Sequence, residues 1–330
     1  MSKIRVGILR GGPSSEYEVS LNTGATVLKS LPVEKYHAHD IFIDRAGVWH
    51  IHGTPLQPHE VLQRIDVVFN ALHGEYGEDG KVQQVLEQHG VPFTGSSSVA
   101  SALGMNKGMA KDIFTANGIK TPYYQIFEKP EDSEVDIEGT ALTIFRSFPM
   151  PAVIKPLSAG SSVGVTIAQT YEALVEGLER AFSVGPAILV EEFIPGVEAT
   201  CAVIEGYRDT ELYALPPIEI RPHAGQKFFD YSAKYHGKSD EIVPGNFSYK
   251  EKEMIEHLAR EAHKVLGLEH YSRSDFIVHP RRGIYVLEVN SQPGLTEESL
   301  LPKALKAMGS NLSHFVDHVL ELALAKKRGL

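Results

Sequence analysis

Residues 285–300, YVLEVNSQPGLTEESL, constrain this chain more than any other stretch. An apolar run carries Glu288 and Asn290 two positions apart, and side chains alternate along a strand, so their oxygens share one face. Asp275 stands at the start of an earlier apolar run, in SRSDFIV. Together the three make an all-oxygen set suited to Mg²⁺, which takes few protein ligands and leaves room for substrate phosphates. Gln292-Pro293-Gly294 then turns the chain into a hydroxyl-bearing segment that ends at Ser299. Oxygen ligands on a strand that feeds a glycine turn point to a nucleotide-dependent enzyme. Solvated acidic strand ends give the same local pattern, so the remainder of the chain has to decide.

At 330 residues the chain is long for one core and suggests two or three domains. KIRVGILRGG at 3–12 reads as a buried strand ending in a glycine turn. Val19, Ala25, Val27, Leu28 and Leu31 then recur at helical spacing. Apolar runs at 39–43, 66–72 and 91–93, with a helix predicted over 81–90, continue the alternation. Strand and helix in turn imply a parallel sheet with right-handed crossovers. A hairpin carrying Trp49 is expected within 43–57, and this α/β unit occupies 1–104. Residues 105–194 read as a smaller α+β module: a helix over 107–118, a surface helix or loop at 128–139, two strands joined by a Gly/Ser loop over 151–168, a helix at 171–183 and a strand at 187–193. Residues 195–330 form a partly antiparallel unit with strands in ATCAVIEG, DTELYAL and PIEI and helices over 249–267 and 302–325. Its polar segment 221–248 is too long for a structureless connector and reads as a mobile functional loop.

Composition closes off other classes. The 42% hydrophobic and 22% charged content supplies ample core material and argues against disorder. The net charge of −10 is spread along the chain, and cations cluster only at Lys326-Lys327-Arg328, where they suit a helix end. Nucleic acid is therefore not an expected partner. The single cysteine, Cys201, rules out an internal disulfide and a Cys-rich zinc site. No signal peptide and no apolar stretch of membrane-spanning length is visible, so no membrane partner and a cytoplasmic location are expected.

Lys155, in VIKP, ends an apolar run and needs an anion, either a structural glutamate or a phosphate. SAGSSVG follows. Small residues there let backbone N–H groups, joined by the Ser161 and Ser162 hydroxyls, converge on phosphate oxygens, although a plain flexible turn looks the same. The loop is neither a P-loop nor a dinucleotide fingerprint, since GxxxxGK[ST] and GxGxxG are both missing where they would be needed. Glu191 and Glu192 end the strand AILVEEF, and Glu198 follows. Carboxylates there can accept from a ribose hydroxyl, or they are simply solvated. Ser14, Ser15 and Glu16 open a helix and read first as cap and dipole partners, as do Glu78 and Asp79 in HGEYGEDG. Lys234 and Tyr235 in FDYSAKY are polar tips that either close over an anion or decorate a solvated loop.

Taken in order, GGPSSEYEVSLNTG, HGEYGEDGKVQ, PFTGSSSVASALGMNK, VIKPLSAGSSVGV, FFDYSAKY, SRSDFIV and EVNSQPGLTEESLLP resemble the D-alanine–D-alanine ligase family of the ATP-grasp superfamily, from about residue 4 to 320. The resemblance implies an ATP-grasp fold behind an N-terminal parallel-sheet domain. It implies ATP-dependent joining of two D-alanines through an acyl phosphate, for peptidoglycan precursors. ATP, the co-substrate, would lie between two antiparallel sheets against Lys107, Lys155, Glu191, Glu192 and Glu198. Loop 158–164, with Ser161 and Ser162, would cover its phosphates, with Lys234 close by. Asp275, Glu288 and Asn290 would hold two Mg²⁺ ions, Glu288 bridging them and Mn²⁺ able to substitute. Glu16 would hold the ammonium of the first D-alanine, with His73 nearby. Arg273 and the Gly294 backbone N–H would stabilise the oxyanion, and Ser299, Leu300 and Lys234 would bind the second D-alanine. Ser161, Tyr235 and Glu16 would hydrogen-bond to hold 221–248 shut. A homodimer is implied as well.

Two departures from the family pattern are Asn106, where Asp is usual, and Phe229, where Tyr is frequent. Neither removes a proposed catalytic group. Tyr235 follows Lys234, a pair that depsipeptide-forming relatives replace, so an amine is the expected second substrate. The alternatives are D-serine or D-lactate as acceptor, or a nucleotide-binding paralogue without ligase activity. The presence of every proposed metal and phosphate ligand argues against the last.

Overall fold

The structure, a computed structural model, describes residues 3–130, 136–158, 160, 163–222 and 239–328. Ser161, Ser162, Lys234 and Tyr235, with most of segment 221–248, lie outside the described residues.

The N-terminal sheet has the order β4-β3-β2-β1-β5, from β1 (Ile4–Gly11), β2 (Tyr36–Ile43), β3 (Trp49–Ile51), β4 (Thr54–Leu56) and β5 (Val67–Asn70). β1 pairs in parallel with β2 and β5, while β2, β3 and β4 form an antiparallel meander that contains the expected hairpin. Alternation along β1 sends Val6 and Ile8 to one face and Leu9 to the other, and both faces are buried. α1 (Tyr17–Ser30) covers the first face. α2 (Pro58–Leu62) and α3 (Lys81–Gln88) contribute Val61, Leu62, Val82 and Leu86 to the second.

The central sheet is antiparallel, β6-β9-β7-β8, from β6 (Tyr124–Glu128), β7 (Ala152–Pro156), β8 (Thr166–Ala168) and β9 (Ala187–Glu192). Period-two alternation divides it cleanly. Ala152, Ile154, Ala168, Ile188 and Val190 pack against α6 (Ile137–Ser147) and α7 (Tyr171–Val184). Val153, Lys155, Ile167 and Glu191 therefore point the other way, into a cleft. α4 (Ser98–Met105) and α5 (Lys107–Ala116) precede this sheet, and Asn106 caps α5 by accepting from the Met109 N–H at 3.1 Å. The unusual Asn106 thus retains the oxygen that a helix start needs.

The third sheet runs β13-β12-β10-β14-β15, with β11 (Leu212–Ala214) also on β10; its strands are β10 (Val197–Glu205), β12 (Ile218–Pro222), β13 (Ser239–Ile242), β14 (Tyr271–His279) and β15 (Gly283–Asn290). One face, with Ala199, Cys201, Val203, Phe276, Val278, Val286 and Val289, buries α8 (Tyr249–Val265) together with Ala110 and Phe114 of α5. A Ser248–Glu251 capping box starts α8. The other face is apolar at one end, where Ala202, Ile204 and Tyr271 join the core shared with the N-terminal sheet, and polar at the other.

The helix expected over 302–325 is two helices, α9 (Leu300–Ala307) and α10 (Leu312–Arg328). Gly309 at φ +77° ends the first, and the Asn311 side chain accepts the His314 N–H at 2.9 Å to begin the second. Short α2 and α4 and the edge strand β6 were not foreseen in the sequence. Between the N-terminal and third sheets, the Gly95 N–H donates to His270 Nδ1 at 3.0 Å and the Glu269 N–H to Ser96 Oγ at 3.1 Å.

Candidate active site

The cleft between the central and third sheets has two facing walls. Val153, Lys155, Ile167, Glu191 and Glu192 come from the central sheet, and Glu198, Asp275, Ile277, Leu287 and Glu288 from the third, with Lys107 of α5 at its side. Aliphatic side chains on both walls, with Lys107 and Lys155 in the same cleft, suit a ligand that is apolar in one part and anionic in another. Lys155 Nζ pairs with Glu191 Oε1, and Glu191 Oε2 lies 2.9 Å from the Nζ of Lys111. Burial opposes the charge on Lys155, but Glu191 and Glu288 outweigh it and hold the ammonium above its ordinary lysine value. Burial likewise opposes ionised Glu191, and Lys111 and Lys155 outweigh it, so its pKa falls. Glu192 sits at the cleft margin, 2.6 Å from Arg282 Nη1.

A bulge sets the geometry of the acidic strands. Asp275 pairs with Glu288, but Phe276 pairs with Val286, leaving Leu287 without an opposite residue. Val286 and Val289 face the core, whereas Leu287 and Glu288 both face the cleft. The extra residue shifts the alternation by one, a common device for re-aiming side chains beside active sites. Asp275 is thereby set opposite Glu288, and Arg273 opposite Asn290. Arg273 grips Asp275 through Nε–Oδ1 and Nη2–Oδ2 contacts of 2.9 Å each, and Thr200 Oγ1 donates to Asp275 Oδ1 at 2.7 Å. Lys107 Nζ lies 3.6 Å from Glu288 Oε2.

A second pocket adjoins the first and shares Lys107 and Glu288 with it. Glu16, His73, Glu78, Gly160, Arg273, Asn290 and the turn 291–294 complete its lining. Neither Ser14 nor Ser15 caps α1: Ser14 is buried and its Oγ accepts the Glu16 N–H at 2.8 Å. Glu78 accepts the Gly74 N–H at 2.8 Å, and burial, then the Glu16 carboxylate, pushes its pKa up to about 8. Burial pushes His73 down to about 4, against a backbone hydrogen bond with Gln292 and aided by Arg273. The ring is therefore neutral at pH 7, with Nε2 2.9 Å from Thr23 Oγ1. Ser299 lies beside Gly294 and bonds Thr296, Oγ to Oγ at 2.8 Å, while Leu300 is buried in the core at the start of α9.

Sequence reasoning missed two charged groups here. Lys111 carries a visible signal, one turn beyond Lys107 on α5, but its burial is a tertiary fact. Glu78 reads as a helix-start residue, and only the fold brings it up to Glu16.

Known proteins place the arrangement. The family description D-ala D-ala ligase C-terminus matches residues 113–321, and D-ala D-ala ligase N-terminus matches 5–60 and 52–96. The chain belongs to the D-alanine–D-alanine ligase family. It is 38% identical to the D-alanine–D-alanine ligase of Pelotomaculum thermopropionicum, over 97% of each chain. It is 39% identical to that of Geobacter sulfurreducens, over 98% of this chain and 96% of the relative. Among solved structures, the Bacillus anthracis D-alanine–D-alanine ligase complexed with ATP superposes with a TM-score of 0.79 at 32% identity, covering 100% of this chain and 99% of that one. The VanG D-Ala:D-Ser ligase of Enterococcus faecalis gives 0.84 at 30%, covering 98% and 100%. The fold is accordingly ATP-grasp, preceded by a domain with a parallel-containing sheet.

Proposed function

We infer that this protein is an ATP-dependent, ADP-forming ligase that joins two D-alanines into D-alanyl-D-alanine for peptidoglycan precursors. The observation that carries this reading is the pair of adjoining pockets with Lys107 and Glu288 as a common wall. One pocket suits a nucleotide, the other a small zwitterion, and the wall between them is where a carboxylate would meet a γ-phosphate.

In this reading the first D-alanine sits with its ammonium on Glu16, near neutral His73, and its carboxylate toward the shared wall. Attack on the γ-phosphate gives an acyl phosphate and ADP. Lys107 and Lys155 balance the charge that gathers on the transferring group. The second D-alanine, its carboxylate held by Ser299 and Lys234 with Leu300 alongside, then attacks the acyl carbon through its amine, loses a proton from that nitrogen and expels phosphate. Arg273 and the Gly294 N–H steady the oxyanion of that step. Acyl phosphates hydrolyse readily, so segment 221–248, with Tyr235 and Ser161, is assigned to excluding water. Glu192 and Glu198 are assigned to the nucleoside end of the cleft. Ser162 is assigned to the phosphates.

Asp275, Glu288 and Asn290 would hold Mg²⁺. The donors are hard oxygens on two neighbouring strands, and Asn290 Nδ2 lies 3.4 Å from Asp275 Oδ2, which puts the amide at the carboxylate. Among the described residues no three His, Cys, Asp or Glu side chains converge as a metal cage. That suits an ion that takes few protein ligands and completes its shell with phosphate and water. When bound, the metal supplies charge neutralisation for phosphoryl transfer. The same reading divides the chain at about residues 104 and 194, makes it a homodimer and places it in the cytoplasm; no helix among the described residues is long and apolar enough to cross a membrane.

The likeness to a D-Ala:D-Ser ligase favours D-serine as the second reading for the acceptor. Both are tested by incubating the protein with ATP, Mg²⁺ and D-alanine, alone or with D-serine or D-lactate, with L-alanine as control. Phosphate release and product masses are recorded. D-alanyl-D-alanine as dominant product is expected; a mixed D-alanyl-D-serine product would transfer the assignment to the second reading, and phosphate release without dipeptide would remove both.

A further inference from the structure

Beneath the nucleotide pocket lies a cation that the reaction scheme leaves unused. α5 presents Lys107 and Lys111 one turn apart, so they share a face of the helix. Lys107 reaches Glu288 on the third sheet, whereas Lys111 reaches Glu191 on the central one. Lys111 is only 1% exposed and Glu191 2%. Besides Glu191, the Lys111 ammonium donates to Thr121 Oγ1 at 2.7 Å. The opposite oxygen of Glu191 pairs with Lys155, which does line the pocket. One buried carboxylate is thus shared by two buried ammonium groups, and only one of the two faces the ligand.

This arrangement has an electrostatic consequence. A lone Glu191–Lys155 pair would be neutral, and a phosphate approaching Lys155 would have to compete with a carboxylate already in contact. Burial pulls the Lys111 pKa below its ordinary lysine value and Glu191 opposes that loss. With the Lys111 ammonium on the far oxygen, the three groups sum to one positive charge, and the compensating cation is kept away from the ligand. In a poorly hydrated site, one charge at this range has a large effect.

We propose that Lys111 is a positioning residue for ATP: by engaging the far oxygen of Glu191 it anchors that carboxylate and leaves the charge of Lys155 available to the nucleotide phosphates. The proposal rests on the ATP-dependent reading above but goes beyond it, since Lys111 touches neither pocket.

The test is calorimetric titration of Mg·ATP, and separately of adenosine, into wild type, Lys111→Met and Lys111→Arg, with steady-state kinetics on each. Lys111→Met should weaken ATP binding about tenfold or more and raise KM for ATP alike, leaving KM for D-alanine unchanged. Lys111→Arg should keep most of the affinity. Adenosine, which carries no phosphate, should bind Lys111→Met within about threefold of wild type. A purely structural role would weaken adenosine and Mg·ATP alike, and that outcome, or a Lys111→Met protein that binds ATP normally, overturns the proposal. Should Lys111→Met fail to fold, Lys111→Gln, which keeps a hydrogen-bond donor for Glu191 without the charge, takes its place: loss of Mg·ATP binding with adenosine binding kept upholds the charge argument, and equal losses defeat it. Wild type that binds ATP without forming dipeptide would sink the ligase reading while leaving this comparison intact; wild type that binds no ATP would sink both.

Discussion

The two adjoining pockets solve opposite electrostatic problems with the same means, burial. At the floor of the nucleotide pocket a buried carboxylate, Glu191, is met by two ammonium groups, and that triad by itself carries a positive surplus. In the amino-acid pocket two carboxylates, Glu16 and Glu78, are buried side by side, and burial, then the Glu16 charge, raises the pKa of Glu78 to about 8. One site is compensated in advance and waits for an anion. The other carries like charges in competition and is relieved when a cation arrives. Pre-compensation gives a rigid site whose charge is fixed, while competition gives a site whose protonation changes on binding.

The comparison breaks hardest at the shared wall. Glu288→Gln should lower kcat by about a thousandfold or more while ATP still binds, because it would remove an anionic ligand of the cation proposed to neutralise the transferring phosphoryl group rather than contacts along the nucleotide. Single-turnover assays beside ATP titration check this, and unchanged turnover would remove Glu288 from the metal set. Next in size is Glu16→Gln, which should raise KM for the first D-alanine by about tenfold to a hundredfold through loss of an ammonium partner, with KM for ATP little changed. Equal effects on both substrates would mean that the two pockets are not separable.

The protonation difference yields a third, subtler expectation. Folded Glu78 has its pKa raised above the unfolded carboxylate value, so between about pH 4.5 and 8 the native state holds a proton that the unfolded chain has lost. Its contribution to stability is therefore greatest at low pH and disappears as pH rises through about 8. Thermal melts of wild type and Glu78→Gln should converge at low pH and differ in slope across that window. D-alanine should also release a proton on binding near pH 7, seen as a buffer-dependent binding enthalpy, and Glu78→Gln should abolish it; buffer-independent enthalpy in wild type would show that the carboxylates do not compete. Smallest of all, Ile167→Ala in the cleft wall should raise KM for ATP about threefold to tenfold, the usual worth of a few buried methylenes, without touching KM for D-alanine.

Much of the candidate site is legible in the chain because it is written in strand periodicity. Lys155 and Val153, or Arg273 and Asp275, are two apart, and alternation alone puts each pair on one face. The same rule reaches its limit at Leu287. Glu288 and Asn290 do share a face, but Val286, two residues before Glu288, faces the other way because a bulge intervenes. A bulge is a property of strand pairing, so no local pattern announces it. The helix break at Gly309 was hidden because apolar periodicity resumes on both sides of it. Lys111 passes unnoticed in the sequence and Glu78 reads as a helix-start residue for another reason: burial and like-charge proximity arise only when distant segments pack. Strand β6, an edge strand with no fully buried residue, left too weak an alternation to read.

The wall common to the two pockets also limits how such an enzyme can diversify. Lys107 and Glu288 line both pockets, so a change there reshapes one whenever it reshapes the other. Heritable shifts in acceptor preference are therefore channelled to positions bordering a single pocket, such as the hydroxyl-bearing turn around Ser299, where a lineage can try a new nucleophile while its nucleotide chemistry stays fixed.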